Sequence, residues 1–264
     1  MKMNNSTSPT KRLIAVCGKG GTGKTALTAM MTRVLLESRK AGKLLLIDAD
    51  PAMGLPNALG IKVKRTMGQV REEIIKTARG SDKERKEKLN SMLDYMVLEA
   101  LTETDRFALL AMGRTETLGC FCPVNNLLRD AIETLSKNFD TIIIDGEAGL
   151  EQINRQVMRR LDTLIVVSDA TSRGIQTAGQ IKKMVEKDKV IEVKKMGLVF
   201  NRVQGNEELL KQAAREMELN VFGYIPQDEN IANYDLVGKS ILELPVESSA
   251  LSAVNNVVAN HILR

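Results

Sequence analysis

The sequence predicts an α/β protein with a doubly wound, mainly parallel sheet. Three observations predict it. Strand-sized apolar runs, such as 13–17, 44–47 and 142–144, recur along the 264 residues. Amphipathic stretches separate them, and nearly continuous Val/Ile/Leu strands suit a parallel sheet covered on both faces. The first run leads through a glycine-rich loop into an apolar-periodic stretch, the start of a right-handed crossover.

Taken in order, strands are expected over 12–17, 43–47, 107–112, 140–145, 163–168, 195–200 and 221–225. Helices are expected over 66–79, 85–101, 126–137, 175–187 and 207–218. No linker, repeat or low-complexity segment divides the chain, so a flexible segment over 1–11 precedes one domain over 12–264. In such sheets ligands bind beyond the carboxyl ends of strands. Residues just after each strand therefore carry the functional argument.

After the first strand stands Gly18-Lys19-Gly20-Gly21-Thr22-Gly23-Lys24-Thr25, followed by Ala26, Leu27, Met30, Met31, Val34 and Leu35 in helical spacing. This fits the phosphate-binding loop G-x-x-x-x-G-K-[ST] in its strand–loop–helix context. Glycines let backbone N–H groups turn toward phosphate oxygens, and the helix N-terminus adds its positive end. Residues Gly18 through Ala26 are candidate ATP contacts. Lys24 reaches the β- and γ-phosphates and Thr25 offers its hydroxyl to Mg²⁺. Lys19 in the second position resembles the deviant Walker A loop of the MinD, ArsA and ParA ATPases and of the nitrogenase iron protein. That resemblance implies a P-loop NTPase of the deviant type. It also implies that Lys19 works beside Lys24 in catalysis by reaching the partner's nucleotide in an ATP-dependent homodimer.

The second strand ends in Asp48-Ala49-Asp50-Pro51. In an extended chain these acids point to one side, so one can hold Mg²⁺ and the other orient the attacking water. Phosphoryl transfer depends mostly on such positioning and charge. Asp48 is the Mg²⁺ candidate; the resembled group implies that Asp50 is catalytic. The fourth strand ends in Ile142-Ile143-Ile144-Asp145, a Walker B pattern that brings Asp145 to the Mg²⁺ shell, and Gly149 can offer its N–H to a γ-phosphate. Asn201, followed by Arg202, closes a later strand with an amide suited to adenine N6 and N7. Pro226, Gln227 and Asp228 fall where the resembled group packs loop backbone around the base.

Cys120 and Cys122 precede a helix expected to begin near Asn125 or Asn126. In an extended segment their Cα atoms lie roughly 6–7 Å apart. Both sulfurs can then converge on one soft metal at about 2.3 Å. Two thiolates do not close a site, but a symmetric dimer supplies four, suited to Zn²⁺ or Ni²⁺. The alternatives are a redox pair, weakened by the strain of such a disulfide, or two cysteines that merely pack. Cys17, inside a strand, reads as core.

Composition narrows the class. The net charge of +5 is diffuse, and with 3% aromatic residues and no Trp the chain offers few base-stacking platforms. No nucleic-acid partner is expected. Apolar runs fall far short of a membrane span, residues 1–10 lack a signal-peptide core, and three cysteines make no disulfide framework. These readings point to the cytoplasm and away from membranes.

With both motifs in hand, the chain resembles the nickel-maturation ATPases of carbon monoxide dehydrogenase and acetyl-CoA synthase, the CooC and AcsF family. The resemblance runs from Leu13 to about Pro245. It rests on the deviant loop, on Met112-Gly113-Arg114 followed by Gly119-Cys120-Phe121-Cys122-Pro123, and on Glu147-Ala148-Gly149-Leu150-Glu151. It implies nucleotide-driven dimerisation, metal held by the two cysteine pairs, and a client nickel enzyme. Gln152 departs from the family's His and leaves the client unsettled. The rivals are an iron–sulfur carrier ATPase, for which Cys-x-x-Cys is the usual spacing, and a MinD- or ParA-like positioning ATPase. The tail 248–264, with Arg264 and His261 as its basic residues, lacks the basic amphipathic helix that MinD uses on membranes.

Overall fold

The computed structural model describes residues 11–78, 83–114, 122–147, 150, 153 and 157–264, with the backbone alone at 78, 83–91, 122 and 123. Among these residues the strands are β1 (Arg12–Gly18), β2 (Leu44–Asp48), β3 (Leu101–Glu103), β4 (Ala108–Ala111), β5 (Thr141–Asp145), β6 (Arg160–Ser168), β7 (Glu192–Val203) and β8 (Val221–Pro226). They form one sheet in the order β3-β4-β2-β5-β1-β6-β7-β8. All neighbours pair in parallel except β3 with β4. The order reverses at β1, with β5 on one side and β6 on the other, so the crevice opens at the carboxyl ends of the central strands.

Both faces are covered, as the continuous apolar strands require. On β1, Leu13, Ala15 and Cys17 point into one core cluster and Ile14 and Val16 into the other, the period-2 alternation of a strand. The first face is packed by α3 (Met67–Ala78), α4 (Lys83–Ala100), α5 (Cys122–Ser136), α6 (Ser172–Glu186) and α7 (Glu207–Glu216). The second is packed by α1 (Lys24–Ser38), α2 (Gly54–Leu59) and α9 (Ser249–His261). A short helix, α8 (Glu229–Leu236), buries no residue and borders the crevice instead. Truncating a fully buried strand residue such as Ile144 to Ala should cost about 2–5 kcal/mol.

Two boundaries differ from expectation. Leu101 leaves the helix and opens β3, an antiparallel edge strand against β4. The apolar spacing of α4 continues to Ala100 and hides that change. The helix expected from Asn125 or Asn126 already begins at Cys122. Pro123 favours this, since its fixed φ and missing N–H suit a first turn. Cys122 is therefore helical rather than extended, and the extended-pair geometry does not hold at this cysteine. Cys120 lies outside the described residues, as does Gly149. Cys17 is core as expected: it is buried, and burial pushes its thiol pKa up to about 12.

Candidate functional site

Parallel pairing brings the ends of β1, β2, β5, β6, β7 and β8 to one edge, and the candidate residues gather there. Gly18 closes β1 with φ 141, and a Cβ on it would lie 2.2 Å from the Val167 carbonyl of β6. No larger residue fits. Gly21 and Gly23 have φ 80 and 86, so the loop curls through left-handed conformations before α1 begins. Gly23 caps α1 without a side-chain bond, and the first-turn N–H groups have no side-chain cap. The Lys24 side chain is buried along the loop, and its ammonium donates to the Lys19 carbonyl at 3.3 Å. Thr22 Oγ1 donates to the same carbonyl at 2.9 Å. Lys19 itself points elsewhere: its Nζ lies 3.6 Å from Asp169 Oδ2 at the end of β6.

Beneath the loop the two acids meet. Asp48 and Asp145 are register partners on β2 and β5, and both are almost wholly buried. Thr25 Oγ1 donates to Asp145 Oδ2 at 2.8 Å and Thr28 Oγ1 to Asp145 Oδ1 at 3.1 Å. Burial raises the Asp145 pKa to about 6, against these two hydroxyls and the Lys24 charge. Burial, and then the Asp145 charge, raise Asp48 to about 7, against N–H donors from Asp50 and Leu55. Two buried carboxyl groups beside a threonine hydroxyl form an all-oxygen donor set that fits a hard divalent cation such as Mg²⁺, whose charge would favour their ionised forms. Asp50 lies just beyond β2, half-buried, with Oδ1 accepting from Ala52 N at 2.9 Å.

Beside α1 opens a cleft of about 970 Å³ whose lining includes Gly23, Thr25, Ala26, Asn201, Arg202, Pro226, Gln227 and Asp228. The residues expected around the base are thus brought together. Asn201 is buried and donates one amide N–H to the Thr22 carbonyl at 2.8 Å. Asp228 caps α8 through Asn230 N and accepts from Ser248 Oγ at 2.7 Å. Burial alone raises its pKa, but the hydrogen bonds from Ser248, Asn230 and Ala250 outweigh that and hold it low. Its carboxylate is a structural anchor, which leaves the backbone of 226–228 to face the cleft.

Sequence reasoning missed Thr28 and Ser248, and it took Asp169, with Ser168, only as part of the family resemblance without giving it a role. Thr28 stands three residues after Thr25 on the same helix face, so its spacing carried a signal. Asp169 directly follows a strand end. Ser248 is distant in sequence and had none. Of the cysteine motif, α5 begins with Cys122 close to the exit of β4, where Gly68 N donates to the Met112 carbonyl at 2.7 Å and Arg71 Nε to Asn125 Oδ1 at 3.0 Å. Among the described residues no group of three or more His, Cys, Asp or Glu side chains could hold a metal. None of their helices is long and apolar enough to cross a membrane.

Comparison with known proteins fits this geometry. An uncharacterized ATP-binding protein of Methanocaldococcus jannaschii is 41% identical over 251 residues, 93% of this chain and 96% of that protein. The carbon monoxide dehydrogenase accessory protein CooC of Rhodospirillum rubrum is 29% identical over 243 residues, 88% of this chain and 89% of that protein. The septum site-determining protein MinD of Pyrococcus horikoshii OT3, solved with Mg-ADP, shares the fold with a TM-score of 0.67 at 23% identity, covering 94% of each chain. The CobQ/CobB/MinD/ParA nucleotide binding domain matches residues 13–241, and the chain belongs to that family of nucleotide-binding ATPases.

Proposed function

We propose that this ATPase is a dimerising metallochaperone that assists nickel insertion into carbon monoxide dehydrogenase or acetyl-CoA synthase. The observation that carries the reading is the pairing of a deviant phosphate loop with Cys120-Phe121-Cys122 in a chain similar to a carbon monoxide dehydrogenase accessory protein over 88% of its length. The topology supports it. β4 runs parallel to β2, so it ends at the same edge of the sheet as β1, which leads into the glycine-rich loop.

In this reading the loop N–H groups and Lys24 bind the β- and γ-phosphates of ATP. Thr25, Asp48 and Asp145 would hold Mg²⁺, which would supply positive charge against the phosphates. Asp50 orients the attacking water, and Gly149 senses the γ-phosphate. Lys19 exchanges Asp169 for the nucleotide of the partner subunit. Asn201 and the backbone of 226–228 border the base. Cys120 and Cys122 from two chains hold one Ni²⁺ or Zn²⁺ as cargo, and hydrolysis reopens the interface to release it.

The test is metal content after anaerobic purification of wild type and of Cys120→Ser/Cys122→Ser. Wild type should carry about one Ni or Zn per dimer and the variant none. A brown chromophore with iron and sulfide would favour an iron–sulfur carrier instead.

A further inference from the structure

The end of β7 does more than border the cleft. Its pairing with β8 slips between Phe200 and Val203, and such an irregularity re-aims the side chains it carries. Arg202 there has φ 57, the left-handed region that is costly for a residue with a Cβ. Strain of this kind persists where the surroundings demand it.

What the strained backbone achieves is visible in the next contacts. Asn201 Nδ2 donates to the Thr22 carbonyl at 2.8 Å and Arg202 Nη1 to the Gly21 carbonyl at 3.2 Å. Two consecutive carbonyls of the phosphate loop are thus held by adjacent residues of β7. Across a trans peptide the N–H points opposite the C=O. Tethering these carbonyls toward β7 turns the N–H groups of Thr22 and Gly23 to the opposite side, where the Thr22 N–H donates to the Lys19 carbonyl at 3.4 Å until a phosphate competes for it. The fit is close, since a Cβ on Gly23 would lie 2.4 Å from Asn201 Nδ2 and 3.8 Å from Arg202 Nη2. The same bulge accepts Gln227 N at Val203 O, 3.1 Å, which ties in the base side of the cleft.

We propose that Arg202 is a positioning residue for phosphate: its left-handed backbone carries the guanidinium to the Gly21 carbonyl and pre-sets the loop amides before any ligand arrives. The ligand it serves is the polyphosphate, not the base. The inference rests on reading residues 18–25 as the phosphate loop. It concerns how that loop is held, whatever metal or client the protein serves.

Binding of Mg-ATP and of Mg-pyrophosphate, which has no base, separates the possibilities when measured by calorimetry beside thermal melting. Arg202→Gly removes the guanidinium and relieves the backbone. It should melt above wild type while binding both ligands about tenfold more weakly. Arg202→Lys, which keeps a cation, should fall between the two in affinity. Weaker ATP binding with unchanged pyrophosphate binding would make Arg202 a base contact and overturn the proposal. Wild-type pyrophosphate affinity in Arg202→Gly, or weaker binding coupled to a lower melting temperature, would overturn it too. Wild-type protein that fails to bind pyrophosphate would overturn the phosphate-loop reading and the proposal together.

Discussion

Asp48 and Asp145 stand directly opposite each other on β2 and β5, both buried. Strand register alone forces two carboxylates together away from water, and each is expensive to ionise there. The folded protein therefore binds more protons than the unfolded chain between about pH 4 and pH 7. Stability from this pair is greatest below the unfolded pKa and falls as pH rises through the folded values.

The first prediction follows from that sign. Without Mg²⁺ or nucleotide, the melting temperature of wild type should drop across pH 5 to 7.5 more steeply than that of Asp48→Asn. Mg-ATP should recover most of the difference at pH 7.5. The pair accounts for at most a few kcal/mol, and parallel pH profiles for the two proteins would contradict it.

A second prediction concerns turnover. Asp50→Asn keeps the shape of the side chain and removes its charge, so ATP binding should persist while hydrolysis falls by about a hundredfold or more. Lys24→Ala should weaken nucleotide binding itself. Single-turnover hydrolysis beside equilibrium binding distinguishes the two roles, and wild-type turnover in Asp50→Asn would return the catalytic role to another residue.

The pairing of Lys19 with Asp169 at 3.6 Å gives a third. If Lys19 must leave Asp169 to reach the partner's nucleotide, Lys19→Ala should bind ATP yet stay monomeric in sedimentation. Asp169→Asn should shift the equilibrium toward dimer, by no more than about fivefold because the pair is partly exposed. Unchanged dimerisation in Lys19→Ala would make it a plain loop lysine.

The fourth is structural. Gly18→Ala sets a Cβ against the Val167 carbonyl, a backbone atom fixed by the β1–β6 pairing. It should cost about 2 kcal/mol or more and depress nucleotide binding with it. Equilibrium denaturation measures the first effect, and wild-type stability would show that the two strands can part.

Much of the fold, and the grouping of the candidate nucleotide-site residues among the described ones, is legible in the residues themselves. The central strands are nearly all Val, Ile and Leu because helices cover them on both sides, and that run of apolar residues is itself the parallel-sheet signal. The phosphate loop is legible because its glycines and lysine sit at fixed spacing for a local reason. β3 is not legible, since a three-residue edge strand continues the spacing of α4. The start of α5 is hidden when Cys120 and Cys122 are read as an extended pair, whereas Pro123 suits a helical first turn. The grip of Asn201 and Arg202 on the loop depends on a bulge and a left-handed residue, for which no local residue pattern in β7 gives warning.

Native mass spectrometry of an anaerobic metal titration, with and without ATP, decides whether two chains share a metal through their cysteines. Thiolates must lose protons to bind, and a metal bridging two subunits is linked to their association. The expected result is one Ni²⁺ or Zn²⁺ per two chains, an affinity altered by ATP, and loss of the ion in Cys120→Ser/Cys122→Ser while ATP still binds. One ion on a stable monomer, or equal metal uptake by the double variant, would contradict the metallochaperone reading.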